Sequence, residues 1–162
     1  MLSEVIIEDG RWQAVGLEEL VERAGRATLL HVGLDPDEWE ISILACNDTR
    51  ISELNGDFRD KPQATNVLSW PNQERAAADP GATPPPPMRG QDPELGDIAI
   101  AYDYCNREAE QSGTPFSDHV THLIVHAVLH LLGYDHVRDQ DATLMETIET
   151  AILGKLGVPD PY

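Results

Sequence analysis

His126 and His130 stand four residues apart in a segment whose apolar pattern predicts a helix over 117–132. Their imidazoles therefore share one helix face, one turn apart, close enough to converge on a single ion. Gly133 can take the left-handed conformation that ends a helix and turns the chain back, which returns His136 to the same point. The resulting H-x3-H-x5-H pattern supplies three nitrogen ligands and leaves a fourth tetrahedral position for water, as catalytic zinc sites do and closed structural sites do not. Three imidazoles buried in this register without a shared partner would each carry a desolvation cost, which favours a common cation over three separate core histidines. His119 and His122 extend the stripe toward the N-terminus; each reads either as a hydrogen-bonder behind the ligands or as a partly exposed polar residue, and neither joins the ligand set. Asp135, beside the third ligand, is a candidate to orient a histidine from behind.

The spacing is that of the metzincin proteases, H-E-x-x-H-x-x-G-x-x-H, with one departure: Ala127 follows the first histidine where the proteases have glutamate. Peptide hydrolysis needs a group that takes the water proton and hands it to the leaving amine, so the missing glutamate weakens a protease reading. Zinc alone still lowers the pKa of bound water to about 7, and hydrolytic chemistry stays open.

The elements that must position these residues follow from periodicity. Val120, Leu123, Ile124, Ala127, Val128 and Leu131 cover most of the circumference of the histidine helix, which places it in the core. Leu144, Met145, Ile148, Ile152 and Leu156 form a second amphipathic helix ended by Gly157 and Pro159. Upstream, Leu17, Leu20, Val21, Ala24 and Thr28 recur at helical spacing, and Trp39, Ile41 and Ile43 alternate with polar residues as a half-buried strand does. Asp48 is expected to cap a short helix with Ile51, Leu54 and Phe58 on one face, and 66–70 and 95–101 read as strands. Alternating helices and strands predict a mixed sheet with helices packed on it. The segment 71–93 contains Pro80 and the run Pro84 to Pro87. Its composition predicts a mobile or extended loop, inserted within one domain, that buries little and whose deletion is tolerated.

The chain has 162 residues, a length that fits one domain spanning 1–162. Eleven Lys and Arg against 29 Asp and Glu give a net charge of -18, which excludes long-range attraction to nucleic acid or an anionic membrane as the default; any polyanion must be met locally. The N-terminus lacks a basic start and a signal-length apolar run, no run approaches the roughly 18 apolar residues of a spanning helix, and Cys46 and Cys105 show no CxxC pattern. Free thiols in a reducing, cytoplasmic setting are expected.

The run from His126 to His136, HAVLHLLGYDH, resembles the signature of the YbeY endoribonucleases, a family of bacterial rRNA maturation factors. Leu54-Asn55 with Phe58-Arg59, then Thr65 to Pro71, and finally Leu95-Gly96-Asp97-Ile98, are similar to two further family blocks in the same order. His122 sits where the family often has a histidine. Two positions depart from the pattern: Ala127 where glycine is usual, and Asn66 where aspartate is usual. Asn66 can keep a hydrogen bond but not a charge, and it is assigned no catalytic role.

The resemblance implies a zincin-like α+β domain, with a mixed sheet of about four strands, five to six helices and the metal site on a central buried helix. It implies a zinc-dependent, single-strand-specific endoribonuclease acting in 3′-end maturation of small-subunit (16S) rRNA and in ribosome quality control. Its implied partners are RNA, the small ribosomal subunit, a ribosomal protein and an Era-type GTPase, with no membrane and no DNA. Arg59 matches the arginine that the resemblance marks as functional, and its planar fork can grip two phosphate oxygens; the other reading is a surface salt bridge with Asp57 or Asp60. Lys61 and Arg50 could extend a phosphate track, in a window that Glu53, Asp57 and Asp60 leave formally neutral. Asp97 either faces the metal pocket or caps a turn, and Trp70 and Tyr134 either stack on unpaired bases or belong to the core. A ribosome-assembly factor with a structural metal is the alternative function, and a zincin-type metalloprotease a further one.

Overall fold

A computed structural model describes residues 1–88 and 92–162. Four strands, β1 (Ser3–Ile7), β2 (Glu40–Cys46), β3 (Val67–Pro71) and β4 (Glu94–Ala101), form one sheet in the order β1-β2-β4-β3. β1 and β4 run parallel to β2, and β3 runs antiparallel to β4 at the sheet edge. Six helices accompany them: α1 (Arg11–Ala14), α2 (Leu17–His31), α3 (Asp48–Arg59), α4 (Tyr102–Ser112), α5 (Phe116–Leu131) and α6 (Asp139–Lys155). This is the mixed α+β architecture that the pattern predicts.

Helix α5 packs against α2, α4, α6 and β3. Val120, Ile124, Val125, Val128, Leu129 and Leu131 are essentially inaccessible to solvent, each large side chain contributing roughly 1.5–3 kcal/mol by leaving water. Ile41, Ile43, Ile98 and Ile100 of the central strands meet them in the same core. β1 and α4 escape a reading by periodicity for identifiable reasons. In β1, Val5-Ile6-Ile7 breaks the alternation, with Ile6 pointing outward; α4 is mostly polar and buries only Cys105 and Ala109.

Two local expectations change. Asn47, not Asp48, caps α3, its Oδ1 accepting Arg50 N–H at 2.8 Å; Asp48 instead accepts Tyr104 N–H and pairs with Arg107. Phe58, expected on the buried face of that helix, is exposed. Part of the proline-rich segment exchanges hydrogen bonds with the C-terminal region. Arg75 is buried and donates to Leu131 O at 2.8 Å. Arg138 donates to the carbonyls of Ala77 and Ala78, and Asp141 accepts Gly81 N–H at 2.9 Å. Positions 89–91 of the segment lie outside the described residues. Both cysteines are buried free thiols.

Two glycines are fixed by close approach. The register of β4 on β2 shifts between Glu40 and Ile41, leaving Leu95 as an extra residue and Gly96 at φ 149°; a Cβ on Gly96 would stand 2.3 Å from Trp70 O and 2.8 Å from Leu131 Cδ2. Gly133, at φ 102°, would place a Cβ 2.4 Å from Arg75 O. Since both the backbone conformation and the neighbouring backbone oppose a side chain, Gly96→Ala is expected to destabilise the fold by about 1–3 kcal/mol, measured by denaturant unfolding. A change under half that size would show that β3 and β4 separate more easily than this packing requires.

Candidate functional site

His126 and His130 project from one face of α5, and the chain turns immediately after the helix. Gly133 N–H bonds His130 O at 3.0 Å and Tyr134 N–H bonds Leu129 O at 3.1 Å, closing the turn in the manner of a glycine C-cap. Asp135 Oδ1 then accepts His136 N–H at 2.7 Å and fixes the backbone that carries the third imidazole. One ring nitrogen from each of His126, His130 and His136 lies within 4.8 Å of the others. The Nε2 atoms of His126 and His130 face each other at 3.0 Å. Two ring nitrogens at that separation need a proton or a cation between them, because their lone pairs otherwise repel.

Glu149 of α6 is the residue that sequence reasoning missed. It is fully buried, and its two oxygens are occupied: Oε1 accepts from His126 Nδ1 and Oε2 accepts from the Tyr162 hydroxyl. His122 Nε2 lies 3.6 Å from Glu149 Oε2 and 3.3 Å from the Tyr162 hydroxyl. Burial pushes the Glu149 carboxyl pKa up, but hydrogen bonds from His122, His126 and Tyr162 outweigh it and hold the group at about 2. An ionised carboxylate on Nδ1 keeps the proton there, so the His126 Nε2 lone pair faces the other two imidazoles. Burial, with His126 and His136 nearby, pulls His130 down to about 4, which keeps it a neutral donor at neutral pH. Three converging imidazoles, one tied from behind by a carboxylate, fit a zinc-type ion. The sequence did hold a signal for Glu149. It falls four residues after Met145 and three before Ile152, on the face that α6 buries.

The histidines open onto a cleft of about 660 Å³, within the usual range for ligand sites. Arg59, at the end of α3, lines it and is exposed; among the described residues no carboxylate comes within 4.0 Å of its guanidinium, so the salt bridge to Asp57 or Asp60 is not formed. His122 and Asp135 line the same cleft, His122 standing beside Glu149 behind His126, and Asp135 holding the His136 backbone rather than a ring. Lys61 is not among the lining residues; its N–H bonds Asn55 O where α3 ends. Arg50 pairs with Glu8 and Glu53, and His119 pairs with Glu108 at 3.1 Å and stands outside the cluster of His126, His130 and His136. Asn66 lines the cleft, but its side chain is spent on Val67 N–H and Glu108. Asp97 does neither of the things expected: it is an exposed residue within β4, paired across from Ser42 and Trp70. Tyr134 belongs to the core, and Trp70 packs edge-to-face on Phe58 at 5.7 Å.

The carboxylate behind His126 has a measurable consequence. Glu149→Gln, which keeps the shape and removes the charge, is expected to weaken zinc binding by about 10–100-fold in competition against a chromophoric chelator. Unchanged affinity would show that Glu149 serves packing alone.

The chain matches the family profile described as "Endoribonuclease YbeY" over residues 7–157. It is 58% identical to the endoribonuclease YbeY of Ruegeria pomeroyi over 165 residues, covering all of this chain and 98% of that one. Against the protein of the same name from Jannaschia sp. strain CCS1 the identity is 52%, with each chain covered completely. Among solved structures, the solution structure of TM1509 from Thermotoga maritima superposes with a TM-score of 0.58 at 19% identity, covering 96% of this chain and 92% of that one, a likeness of fold. The profile match across nearly the whole chain and the full-length relatives agree: the chain belongs to the YbeY endoribonuclease family.

Proposed function

We propose that this chain is a zinc-dependent, single-strand-specific endoribonuclease acting in 3′-end maturation of small-subunit (16S) rRNA and in ribosome quality control. Family membership makes it an enzyme that hydrolyses RNA phosphodiesters. The observation that carries the finer reading is the convergence of His126, His130 and His136 on a cleft with Arg59, unpaired, in its wall.

His126, His130 and His136 would hold a zinc ion, which would supply Lewis acidity toward a phosphoryl oxygen and a lowered pKa for water. The chain's own residues do the rest. Glu149 holds His126 in the donor tautomer, and Asp135 holds the backbone of His136. Arg59 is free to grip the non-bridging oxygens and to neutralise the charge that grows on them in the transition state. The cleft opens to the surface beside the sheet edge, which suits an unpaired strand with splayed bases better than a duplex. Ala127 occupies the position of the metzincin glutamate, which leaves peptide hydrolysis without its usual general base.

A net charge of -18 makes free RNA a poor long-range target, and recruitment to the cytoplasmic small ribosomal subunit resolves this. An acidic surface complements basic ribosomal proteins, and an Era-type GTPase is a further candidate partner. No described helix is long and apolar enough to cross a membrane.

The purified protein is expected to cleave a 16S rRNA 3′-end fragment, to lose that activity on chelation and to regain it with zinc. Arg59→Ala, purified identically, is expected to lower kcat by about 10²–10³. Equal cleavage in every sample would indicate contaminating ribonuclease and sink the assignment; loss of fold on chelation without turnover on any RNA would indicate an assembly factor with a structural metal. Separately, the protein is expected to co-sediment with small subunits at moderate salt, and failure to do so would remove the recruitment argument.

A further inference from the structure

Arg75, in the proline-rich segment after β3, is only 8% exposed yet lines the same cleft as the three histidines. Its guanidinium donates once to the protein among the described residues, to Leu131 O at 2.8 Å, and its Nε has no hydrogen-bond partner. Leu131 ends α5, so the negative end of that helix accounts for part of the side chain's placement. It does not account for the remaining donors of a five-donor group. No described carboxylate lies within 4.0 Å of it, although Glu74 and Asp135 line the cleft. Burial therefore weighs against the charge. A buried, under-satisfied cation is costly in any fold, and this one faces a cavity whose other Lys or Arg is Arg59.

We propose that Arg75 binds a second phosphate of the RNA strand, flanking the one that reacts at the histidines. It is a substrate-binding cation supplied by the proline-rich segment. The inference rests on the endoribonuclease reading and deepens it. Arg59 and Arg75 reach the cleft from different elements, so together they set the direction of the strand across the metal centre. Arg75 also ties the segment to function, since its backbone carbonyl closes on Gly133 in the turn between the second and third ligands.

The test compares the zinc-loaded parent, Arg75→Gln and Arg75→Lys on a single-stranded oligoribonucleotide, with zinc content and melting temperature measured for each. Loss of one phosphate contact is expected to raise KM about tenfold or more in Arg75→Gln and to flatten the slope of log kcat/KM against log salt by about 0.7. A role limited to capping α5 would lower the melting temperature and leave the salt slope where it was, and that result overturns the proposal. If Arg75→Gln does not fold, Arg75→Lys decides: it keeps a donor for Leu131 and a charge but not the fork, so KM is expected to rise with the salt slope retained, and an unchanged KM overturns the proposal. A parent that shows no metal-dependent cleavage overturns the endoribonuclease reading, and this inference with it. A parent that cleaves beside variants that match it overturns this inference alone.

Discussion

Helix α5 has to satisfy two demands that pull against each other. Its apolar residues are buried against α2, α4, α6 and β3, so it cannot shift without opening the core, and the remaining stripe of the same helix carries the polar imidazoles that must reach a ligand. The conflict is settled at its C-terminal end, where the helix emerges at the cleft and the chain reverses at Gly133. A rigid core helix then holds the His126 to His130 spacing without any loop having to order, which is how a metal site gains precision from the fold around it.

Glu149 joins this arrangement to the rest of the C-terminal half. A fully buried carboxylate with no partner would be strongly destabilising, and here both oxygens are taken, one by His126 and one by Tyr162. The bond to His126 therefore does two things: it satisfies a charge inside the domain, and it selects which nitrogen of that imidazole faces the cleft. Helix α6 is thereby a support for the histidine cluster as well as a wall of the core.

The proline-rich segment is a second support. Proline removes backbone donors and stiffens the chain, so a segment of this kind need not fold into an element to hold a defined path. Arg75, Arg138 and Asp141 anchor it by hydrogen bonds to and from backbone, and Glu74, Arg75 and Ala76 form part of the cleft wall. In a chain of net charge -18, bringing two arginines to this cleft concentrates positive charge at one place on a surface that is otherwise acidic.

The histidine cluster was legible because helical periodicity is a local property: residues four apart share a face whatever the tertiary context, and a glycine after the last turn signals the return that brings in His136. The core helices and three of the four strands were legible for the same reason, and β1 was not, since its consecutive branched residues carry no alternation. Arg59 was identified through the similarity of its surrounding block, and its freedom from Asp57 and Asp60 appeared only in the fold. Glu149, Tyr162 and Arg75 are 23, 36 and 51 residues from His126 in the chain. Their meetings with the site depend on how α6, the C-terminal tail and the segment after β3 pack, which no spacing rule encodes. The sequence by itself determined which residues could ligate a metal and on which helix; tertiary structure alone decided which carboxylate backs a ligand and which buried cation lines the cleft, because those contacts join segments distant in the chain.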